Sequence, residues 1–230
     1  STAPSVSVVM PVFNEAATVR RAVERASALT GVHEVIVVDG DSDDGTLELA
    51  RSCCATVLQA PRGRASQLNA GAWVATGDVL LFLHADIVLP AETVGAMRAA
   101  LDDSEVVGGA FCTHTVCEAP RPVWWPLLRI ADVRSRMTRL PYGDQAQFVW
   151  REEFEAIGGF DDVSLFEDLI LSRRLLERGR LARCRPAVRV SGRRFVNRPV
   201  HSTIVMNVFP ILFRLGVPTS RLARWYGSVR

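Results

Sequence analysis

The stretch "LLFLHADIVLP" (residues 80–90) begins as an apolar run and ends with an imidazole and a carboxylate two residues apart. A short, uninterrupted apolar run is typical of a strand that is buried on both faces of a sheet. We therefore predict a strand over residues 78–86 whose leucines lie in the core. His84 and Asp86 would then lie at the carboxyl end of that strand, which in an open parallel sheet is the edge that binds ligands.

Similar apolar runs lie on either side of this stretch and alternate with helical patterns. The alternation predicts an α/β fold with a mostly parallel central sheet flanked by helices. The predicted strands are residues 5–12, 34–39, 78–86, 106–116 and 182–190. The predicted helices are residues 16–29, 45–52, 64–75, 91–101, 122–140 and 167–178, with a loop over residues 140–148. We expect one domain over residues 1–198 and a C-terminal helical extension over residues 199–230 that packs on it.

The composition is that of a globular protein. Of the 230 residues, 48% are hydrophobic and 23% are charged, which suits one sizeable domain. No stretch reaches the roughly 18–20 apolar residues of a spanning helix, and the N-terminus lacks the features of a signal peptide, so we expect a cytoplasmic protein. The five cysteines match no zinc-binding spacing, and we expect reduced, mostly buried thiols.

Charge is divided unevenly along the chain. Residues 1–118 carry 7 arginines and 15 acidic residues, a formal charge of −8, whereas residues 119–230 carry 20 arginines and 10 acidic residues, a formal charge of +10. The chain contains no lysine, and a guanidinium group can bind phosphate through two hydrogen bonds. The basic half is therefore expected to face phosphate groups. Nucleic acid is the less favoured partner, because the aromatic residues are not interleaved with the arginines as base stacking requires.

Polar residues also end the first two predicted strands, in "PVFNEAAT" (11–18) and "VVDGDSDDGT" (37–46). The second stretch holds four carboxylates within six residues, which repel one another unless a cation or hydrogen-bond donors compensate. An EF-hand does not fit, because Asp44 and Ala50 stand where Gly and Glu are required. A phosphatase with an aspartyl nucleophile usually has Thr or Val at the position of Asp43. A dinucleotide site needs G-x-G-x-x-G after the first strand, and no glycine is present there.

Five stretches taken together resemble glycosyltransferase family 2: "VVMPVFNE", "VIVVDGDSDDGT", "LNAGAWVATGDVLLFLHAD", "GGFDD" and "FEDLILSRRL". The resemblance covers most of residues 5–195 and is greatest to small bacterial members found beside radical-SAM or selenium-related genes. It implies the nucleotide-sugar-binding α/β fold called GT-A and a nucleotide diphosphate sugar as donor. It also implies a divalent metal and inversion at the anomeric carbon by direct displacement.

The resemblance assigns a set of nucleotide-binding residues. These are Pro11, Phe13, Glu15, Asp39, Asp41, Arg64, Asn69 and Ala85. Asp39 matches the aspartate that accepts a hydrogen bond from uracil, so UDP is the favoured nucleotide. The order of residue types after it departs from the usual D-G-S-x-D-G-T, which leaves the role of Asp41 open. Leu68 stands where arginine is common before Asn69, and Arg62 or Arg64 is expected to face the phosphates instead.

The triplet "HAD" (84–86) falls on the D-x-D motif of the family, whose carboxylates hold Mg²⁺ or Mn²⁺ against the donor diphosphate. Asp86 keeps the last aspartate of the motif, and His84 replaces the first. Carboxylate oxygen is a suitable ligand for a hard cation, and an imidazole shifts the preference towards Mn²⁺. His84 could instead contact the ribose or a ligand of the metal.

The pair Glu167-Asp168 matches the E-D pair of the family at a helix start, where the second carboxylate is the general base. The alternative is that both acids only stabilise the positive end of the helix dipole. Asp144 and Gln145 match a loop that closes over the reacting centre and are expected to contact acceptor or sugar. "SGRRF" (191–195) resembles a basic segment that covers the diphosphate, which assigns Arg193 and Arg194 there.

The tail "HSTIVMNVFPILFRLGVP" (201–218) is apolar and flanked by arginines. It could pack on the domain, attach the protein to an anionic membrane, or receive a lipid-phosphate acceptor. The sequence favours an inverting, metal-dependent glycosyltransferase whose acceptor is a small molecule or a lipid phosphate. A non-catalytic nucleotide-sugar-binding domain and a nucleotidyltransferase are the alternatives, and self-association of the chain is left open.

Overall fold

Eight strands form one sheet in the computed structural model, which describes residues 3–116, 132–138, 140–192 and 199–226. In chain order the strands are β1 (Val6–Val12), β2 (Val32–Asp39), β3 (Thr56–Gln59), β4 (Val79–Phe82), β5 (Ile87–Val88), β6 (Val106–Val116), β7 (Phe148–Trp150) and β8 (Arg180–Ser191). Their order across the sheet is β3-β2-β1-β4-β7-β6-β8-β5. The architecture is mixed α/β, with a central sheet flanked by helices.

The N-terminal half of the sheet, β3-β2-β1-β4, is entirely parallel. Successive residues of these strands point to opposite faces, so each strand contributes to two cores. Val8 and Met10 pack into one core, whereas Val9 packs into the other. Because both faces are covered, β1, β4 and the second part of β2 are continuous apolar runs, which explains why these three strands could be predicted from the sequence.

Helices cover both faces of the sheet. They are α1 (Val19–Ser27), α2 (Thr46–Cys53), α3 (Arg64–Val74), α4 (Thr93–Leu101), α5 (132–137), α6 (Arg151–Ala156), α7 (Glu167–Leu176), α8 (Pro199–Arg214) and α9 (Thr219–Tyr226). Helix α1 buries Val19, Ala22, Val23 and Ala26, which share one side of a helix with 3.6 residues per turn. Helices α1 and α4 pack on one core, and α3 and α7 pack on the other.

The C-terminal half of the sheet is mixed. Strand β7 pairs antiparallel with β4 and β6, and β5 pairs antiparallel with β8, whereas the long strands β6 and β8 run parallel. Four of the seven pairings in the described residues are therefore parallel. Strand β7 joins the two halves, because it lies between β4 and β6.

The sequence-based elements agree with the structure for the long segments and differ for the short ones. The strand predicted over residues 78–86 ends at Phe82, and His84 and Asp86 lie in the turn that follows it. The prediction omitted β3, β5, β7 and α6, which have two to six residues each and show no clear period. The loop predicted over residues 140–148 contains a 3₁₀ turn, Gly143–Gln145. Of the helix predicted over residues 122–140, the described part is helical over residues 132–137.

The described part of the C-terminal tail folds into two helices, α8 and α9. None of the helices within the described ranges combines the length and the apolar character that crossing a bilayer requires. Four of the five cysteines are described, and all four are free thiols: Cys53, Cys54, Cys112 and Cys184. Cys117 lies outside the described residues, as does the pair of tryptophans at residues 124 and 125.

Candidate active site

The loops that follow β1 and β2 are bonded to each other. The N–H of Asn14 donates to the Ser42 hydroxyl at 3.0 Å, and the N–H of Asp43 donates to the Asn14 side-chain oxygen at 3.1 Å. The N–H of Glu15 donates to the Thr46 hydroxyl at 2.8 Å. These bonds hold the carboxyl ends of two adjacent parallel strands together.

Asp39, at the end of β2, is fully buried and accepts two hydrogen bonds from Ser42. One comes from the Ser42 N–H at 3.0 Å and the other from its hydroxyl at 2.5 Å. A buried carboxylate needs such donors, because its desolvation is otherwise costly. Asp39 therefore shapes its own loop in this structure, and contact with a base stays a prediction.

The acidic cluster after β2 is partly structural. Burial would raise the pKa of Asp44, but hydrogen bonds from Thr46 and from the Ala16 N–H lower it below its usual value. Asp41 is exposed and adopts a left-handed φ of 62°. Asp44 is thus stabilised by hydrogen bonds within its loop, and Asp41 is exposed to solvent. The charges of these two carboxylates therefore need no metal ion to compensate them.

Gln67 was not among the predicted site residues, yet it fixes the carboxyl ends of β1 and β2. Its side chain is buried, and its amide nitrogen donates to the Val12 carbonyl at 2.8 Å and to the Val38 carbonyl at 2.9 Å. Gly40 is required beside it, since a Cβ there would lie 2.8 Å from the Gln67 side chain. Gln67 lies 55 and 29 residues from its two partners, so no local sequence pattern indicates this role.

Two arginines lie at the start of α3. The Arg62 guanidinium stacks on the ring of Phe13, with its carbon 3.9 Å from the ring centre. Arg64 is partly buried and its Nη1 lies 3.7 Å from a carboxylate oxygen of Glu167. Of the two candidates for facing a phosphate, the structure brings Arg64 to the carboxylates of α7.

Asn69 holds a distant loop. Its side-chain nitrogen donates to the Phe160 carbonyl at 2.9 Å, and its side-chain oxygen accepts from the Phe160 N–H at 2.9 Å. Gly159 has a φ of 76°, and a Cβ at that position would lie 2.6 Å from the Asn69 oxygen. The "GGFDD" segment is therefore fixed to α3, and contact of Asn69 with a nucleotide stays a prediction.

A cavity of about 150 Å³ opens beyond the end of β4. It brings together five of the predicted site residues: Arg64, His84, Asp86, Asp144 and Asp168. Ten further residues complete its lining: Thr115, Arg134, Tyr142, Leu165, Phe166, Val190, Ser191, Val205, Phe209 and Pro210. Three carboxylates, two guanidinium groups and an imidazole therefore line one open cavity.

The segment that carries His84 and Asp86 is held by β8. Ile87 pairs with Val190, and the N–H of Ser191 donates to the Asp86 carbonyl at 3.3 Å. Ala85, between the two site residues, packs against the core. This arrangement fixes the backbone of the "HAD" triplet beside the cavity.

The described residues contain no group of three or more His, Cys, Asp or Glu side chains that could hold a metal ion. Mg²⁺ in nucleotide sites is commonly held by one or two carboxylates together with substrate phosphates, and not by a cage of protein ligands. His84 and Asp86 line the same cavity and supply one carboxylate and one imidazole. This donor set fits the protein share of a divalent cation site that a diphosphate completes.

Asp168 lies at the first turn of α7 and is only partly exposed, into the cavity. It accepts a hydrogen bond from the Gly143 N–H at 2.6 Å. Burial, followed by the neighbouring Glu167 carboxylate, raises the pKa of Asp168 to about 7, although the Gly143 hydrogen bond and the Arg64 charge lower it. A carboxylate with a pKa near neutrality can take up a proton at physiological pH.

Gly143 lies close to both Asp168 and His84. A Cβ on Gly143 would lie 3.3 Å from Oδ2 of Asp168 and 3.3 Å from Nε2 of His84. A side chain there would press on both groups. The absence of a side chain at this position therefore lets the 143–145 turn approach both His84 and Asp168 closely.

The structure brings Asp144 to the cavity but not Gln145. The Gln145 side chain is buried, accepts from the Tyr142 N–H at 2.9 Å and donates to the Phe111 carbonyl at 3.1 Å. Its amide holds the turn against β6, so Gln145 positions the site and does not line it. Arg193 and Arg194 lie outside the described residues, whereas the preceding Ser191 lines the cavity.

One wall of the cavity is apolar and includes helix α8. Val205, Phe209 and Pro210 of α8 face the cavity, and the ring of Phe213 packs on Phe166 with centres 5.1 Å apart. Arg134 stacks on the neighbouring Tyr142, 4.1 Å from its ring centre. Sequence reasoning assigned none of these residues singly to the site, although it considered the tail 201–218 as a place for a lipid-phosphate acceptor, and Arg134 and Phe213 lie 79 positions apart in the chain (213 − 134).

Backbone strain is concentrated around the site. Non-glycine residues with positive φ in the described ranges are Asn14, Asp41, Ala146 and Phe166. The first two follow strands β1 and β2, and the other two flank the loop and helix that carry Asp144 and Asp168. Such strain persists only where the surroundings enforce it, and it is frequent at functional sites.

Comparison with known families agrees with this geometry. The model of the family described as "Glycosyl transferase family 2" matches residues 7–160, more than half of the chain. The chain belongs to glycosyl transferase family 2. The match includes the strand-end loops and the "HAD" triplet, and it ends before α7. The subgroup beside radical-SAM or selenium-related genes stays a prediction.

Curated relatives match less than half of this chain. An undecaprenyl-phosphate 4-deoxy-4-formamido-L-arabinose transferase from Aeromonas hydrophila is 34% identical over 116 residues, which cover 45% of this chain and 36% of the relative. The glycosyltransferase AglE from Haloferax volcanii is 33% identical over 96 residues, 37% of this chain and 32% of the relative. The matches thus span about a third of the length of these relatives.

Solved glycosyltransferase structures share the fold over most of the chain. The mannosyltransferase PcManGT from Pyrobaculum calidifontis, in complex with GDP-Man and Mn²⁺, superposes with a TM-score of 0.65 at 23% identity, over 98% of this chain and 70% of that one. S. aureus TarS with UDP-GlcNAc gives a TM-score of 0.63 at 18% identity, over 81% of this chain and 58% of that one. At such identities the likeness shows the GT-A fold.

Proposed function

We propose that this family 2 member is an inverting, metal-dependent glycosyltransferase that moves a sugar from a nucleotide diphosphate sugar, UDP-linked by preference, to an acceptor. One observation carries the proposal. Asp86, His84, Arg64 and Asp168, which come from three separate parts of the chain, line one cavity at the carboxyl edge of the sheet. The proposal takes residues 1–198 as the catalytic domain and residues 199–230 as an extension packed on it.

The donor side of the proposed site consists of the strand-end loops. Asp86 and His84 would hold Mg²⁺ or Mn²⁺, and a bound cation would supply positive charge to the leaving diphosphate. Solved GT-A neighbours are complexed with Mn²⁺ or Mg²⁺, which supports a divalent metal. Arg64 would place a guanidinium beside the phosphates, and Arg193 and Arg194 would add to it from the basic segment.

The nucleoside would lie over the loops after β1 and β2. We assign Pro11, Phe13, Glu15 and Asp39 to this part, with Asp41 and Asn69 at its border and Ala85 against the ribose. Asp39 is proposed to accept a hydrogen bond from the uracil N–H, which would require its bonds to Ser42 to rearrange or to be shared. Neighbours bind GDP-Man as well as UDP-GlcNAc, so the base preference is a separate test.

Asp168 is proposed as the general base. Inversion by direct displacement needs a base within hydrogen-bond reach of the acceptor hydroxyl and stabilisation of the leaving group on the opposite face. The raised pKa of Asp168 suits that task, and its bond to the Gly143 N–H fixes one carboxylate oxygen. Glu167 forms an ion pair with Arg64 and would orient this guanidinium.

Two acceptor classes fit the cavity, a hydroxyl-bearing small molecule and a lipid phosphate. A hydroxyl must lose a proton to the base, whereas a phosphate oxygen is already ionised near neutral pH. The apolar wall formed by Val205, Phe209 and Pro210 favours an acceptor with an apolar part. Relatives named as undecaprenyl-phosphate transferases support the lipid class. Replacing Asp168 distinguishes the two acceptor classes, because only transfer to a hydroxyl depends on this base.

Asp144 also lines the cavity, and we assign it to contact with the acceptor or the sugar.

A ligand screen tests the proposal against its alternatives. Thermal unfolding is followed with UDP, GDP and CDP sugars and with nucleoside triphosphates, each with and without Mn²⁺, because a ligand of the native state raises the unfolding temperature. A glycosyltransferase is expected to respond to a nucleotide sugar in the presence of Mn²⁺ and to release nucleotide slowly by hydrolysis. A non-catalytic binding domain would respond without release. A nucleotidyltransferase would respond to nucleoside triphosphates, and that outcome would overturn the proposal.

A further inference from the structure

Helix α8 presents two different sides. Its inner side carries Val205, Phe209 and Pro210 to the cavity wall. Its outer side carries the exposed residues Ile204, Val208 and Ile211, and the exposed Leu215 continues the row in the turn directly after the helix; these four apolar residues are here called the α8 stripe. Their spacings of four, three and four residues keep them on one side of a helix, opposite the buried Phe209. Leu215 is 75% exposed and Ile211 is 55% exposed, so packing on the domain leaves the stripe in solvent.

The charged residues that α8, α9 and the turn between them contribute are all arginines. Residues 199–226 contain Arg214, Arg221 and Arg224 and no acidic residue. All three arginines are exposed, and so is Trp225 beside them on α9. An apolar helix face with arginines and an interfacial tryptophan is the composition of a helix that lies in the surface of an anionic membrane. A contiguous exposed apolar patch of this kind is uncommon on a monomeric soluble protein unless it binds a partner.

We propose that α8 and α9 form a membrane-docking surface, in which the α8 stripe inserts among anionic lipids and the arginines bind their head groups. Because the same helix forms a wall of the cavity, docking would bring the cavity next to the bilayer. The membrane would then supply an amphiphilic acceptor whose polar end enters the cavity. This last step rests on the proposed glycosyl transfer, whereas docking itself does not.

The test measures docking without metal, nucleotide or turnover. The full chain is sedimented with vesicles of phosphatidylcholine alone and with vesicles of equal parts phosphatidylcholine and phosphatidylglycerol. We expect binding to the anionic vesicles, weak binding to the neutral ones, and a loss of affinity at high salt, because screening weakens the head-group attraction. Failure of the parent protein to bind the anionic vesicles overturns the proposal.

Two double variants with the same change of charge identify the surface. Ile211→Glu with Leu215→Glu alters the stripe, and Val74→Glu with Leu176→Glu alters exposed apolar positions on α3 and α7. All four positions are exposed, so both variants should fold, which circular dichroism checks. The stripe variant is expected to lower vesicle partitioning by roughly tenfold more than the control. Equal partitioning of the two variants overturns the assignment. A concentration-dependent dimer that only the stripe variant abolishes, with no vesicle binding, assigns the face to a second copy and also overturns it.

If the anionic vesicles bind but no nucleotide sugar does, the proposed function fails while the docking surface stands. If nucleotide sugars bind and are hydrolysed but no vesicle binds, the reverse holds. The two proposals can therefore fail separately.

Discussion

The two sides of the proposed site differ in how they are built. One side, here called the donor wall, comprises the loops that directly follow β1 and β2, in which backbone N–H groups of each loop donate to side chains of the other, together with the turn after β4, which alone of the three lines the cavity. The acceptor wall draws Arg134, Tyr142, Phe166 and Phe209 from α5, a loop, the start of α7 and α8. The first wall is polar and acidic, whereas the second is largely apolar with a single stacked arginine.

This difference suggests that the donor wall determines the type of reaction, whereas the acceptor wall determines which acceptor is used. A parallel sheet aligns its strand ends whatever the acceptor is, so the donor wall can be common to a family. The acceptor wall depends on helices and a loop that lie outside the parallel half of the sheet, and it can change without altering the chemistry. Asp168 lies where the two walls meet, since it follows Phe166 of the acceptor wall and lines the same cavity as His84 and Asp86 of the donor wall. Variants on each wall should therefore have different consequences.

The largest expected effect is a loss of turnover on replacing Asp168, where the two walls meet. Asp168→Asn keeps the shape of the side chain and removes its basicity, so turnover with a hydroxyl acceptor or water should fall roughly 10²–10⁴-fold. Donor affinity should change little, because the base acts in the transition state. Steady-state turnover and calorimetric UDP binding check both parts. Asp162→Asn, at an exposed position, is the matched control. Parallel loss of binding and turnover would contradict the assignment and make Asp144 the next candidate.

The stability of the strand ends in the donor wall should depend on the buried side chain of Gln67. Gln67→Leu removes the donor to the Val12 and Val38 carbonyls in a buried site, which should lower the free energy of unfolding by about 2 kcal/mol. Chemical denaturation measures the loss. Gln59→Leu, on the exposed end of β3, should be close to neutral. Similar losses in both variants would show that Gln67 does not stabilise the strand ends specifically.

A smaller effect is expected where the 143–145 turn approaches the donor wall. Gly143→Ala adds a methyl group 3.3 Å from both Asp168 and His84, so turnover should fall roughly tenfold with the fold retained. Gly95→Ala in α4 adds a methyl group into open space and should leave turnover unchanged. Kinetics and thermal unfolding of the two variants give the comparison. Unchanged turnover in Gly143→Ala would mean that this close approach does not position the reacting groups.

The smallest predicted effect is on stability and pH. Because the pKa of Asp168 is raised in the folded protein, the folded state binds more protons than the unfolded state between the ordinary aspartate pKa and about 7. Stability should therefore fall as pH rises towards 7 and level off above it. Between pH 6 and pH 8 the parent should lose about 1 kcal/mol relative to Asp168→Asn, or roughly 2–4 °C in unfolding temperature. Unfolding without metal at both pH values checks this, and a constant difference would contradict the raised pKa.

The sequence predicts the donor wall better than the acceptor wall, and the reason is physical. Central parallel strands are buried on both faces and are therefore apolar throughout. In "LLFLHAD" and "VIVVDGD" the change from apolar to polar residues marks the end of the strand. Gln67 could not be predicted, because its bonds join residues 29 and 55 positions away. Phe209 and Arg134 could not be assigned to the site for the same reason. Gln145 was expected to face a ligand, yet its buried amide is engaged with backbone groups.

Metal-linked nucleotide binding through Asp86 is the most direct test of the central claim, that the strand ends form a metal-dependent donor site. Calorimetry of UDP binding is performed with Mn²⁺ and with chelator, for the parent, Asp86→Ala and the exposed control Asp102→Ala. The account predicts that Mn²⁺ tightens UDP binding by roughly tenfold or more in the parent and in Asp102→Ala, but not in Asp86→Ala. An Asp86→Ala variant that keeps the full effect of Mn²⁺ would contradict it.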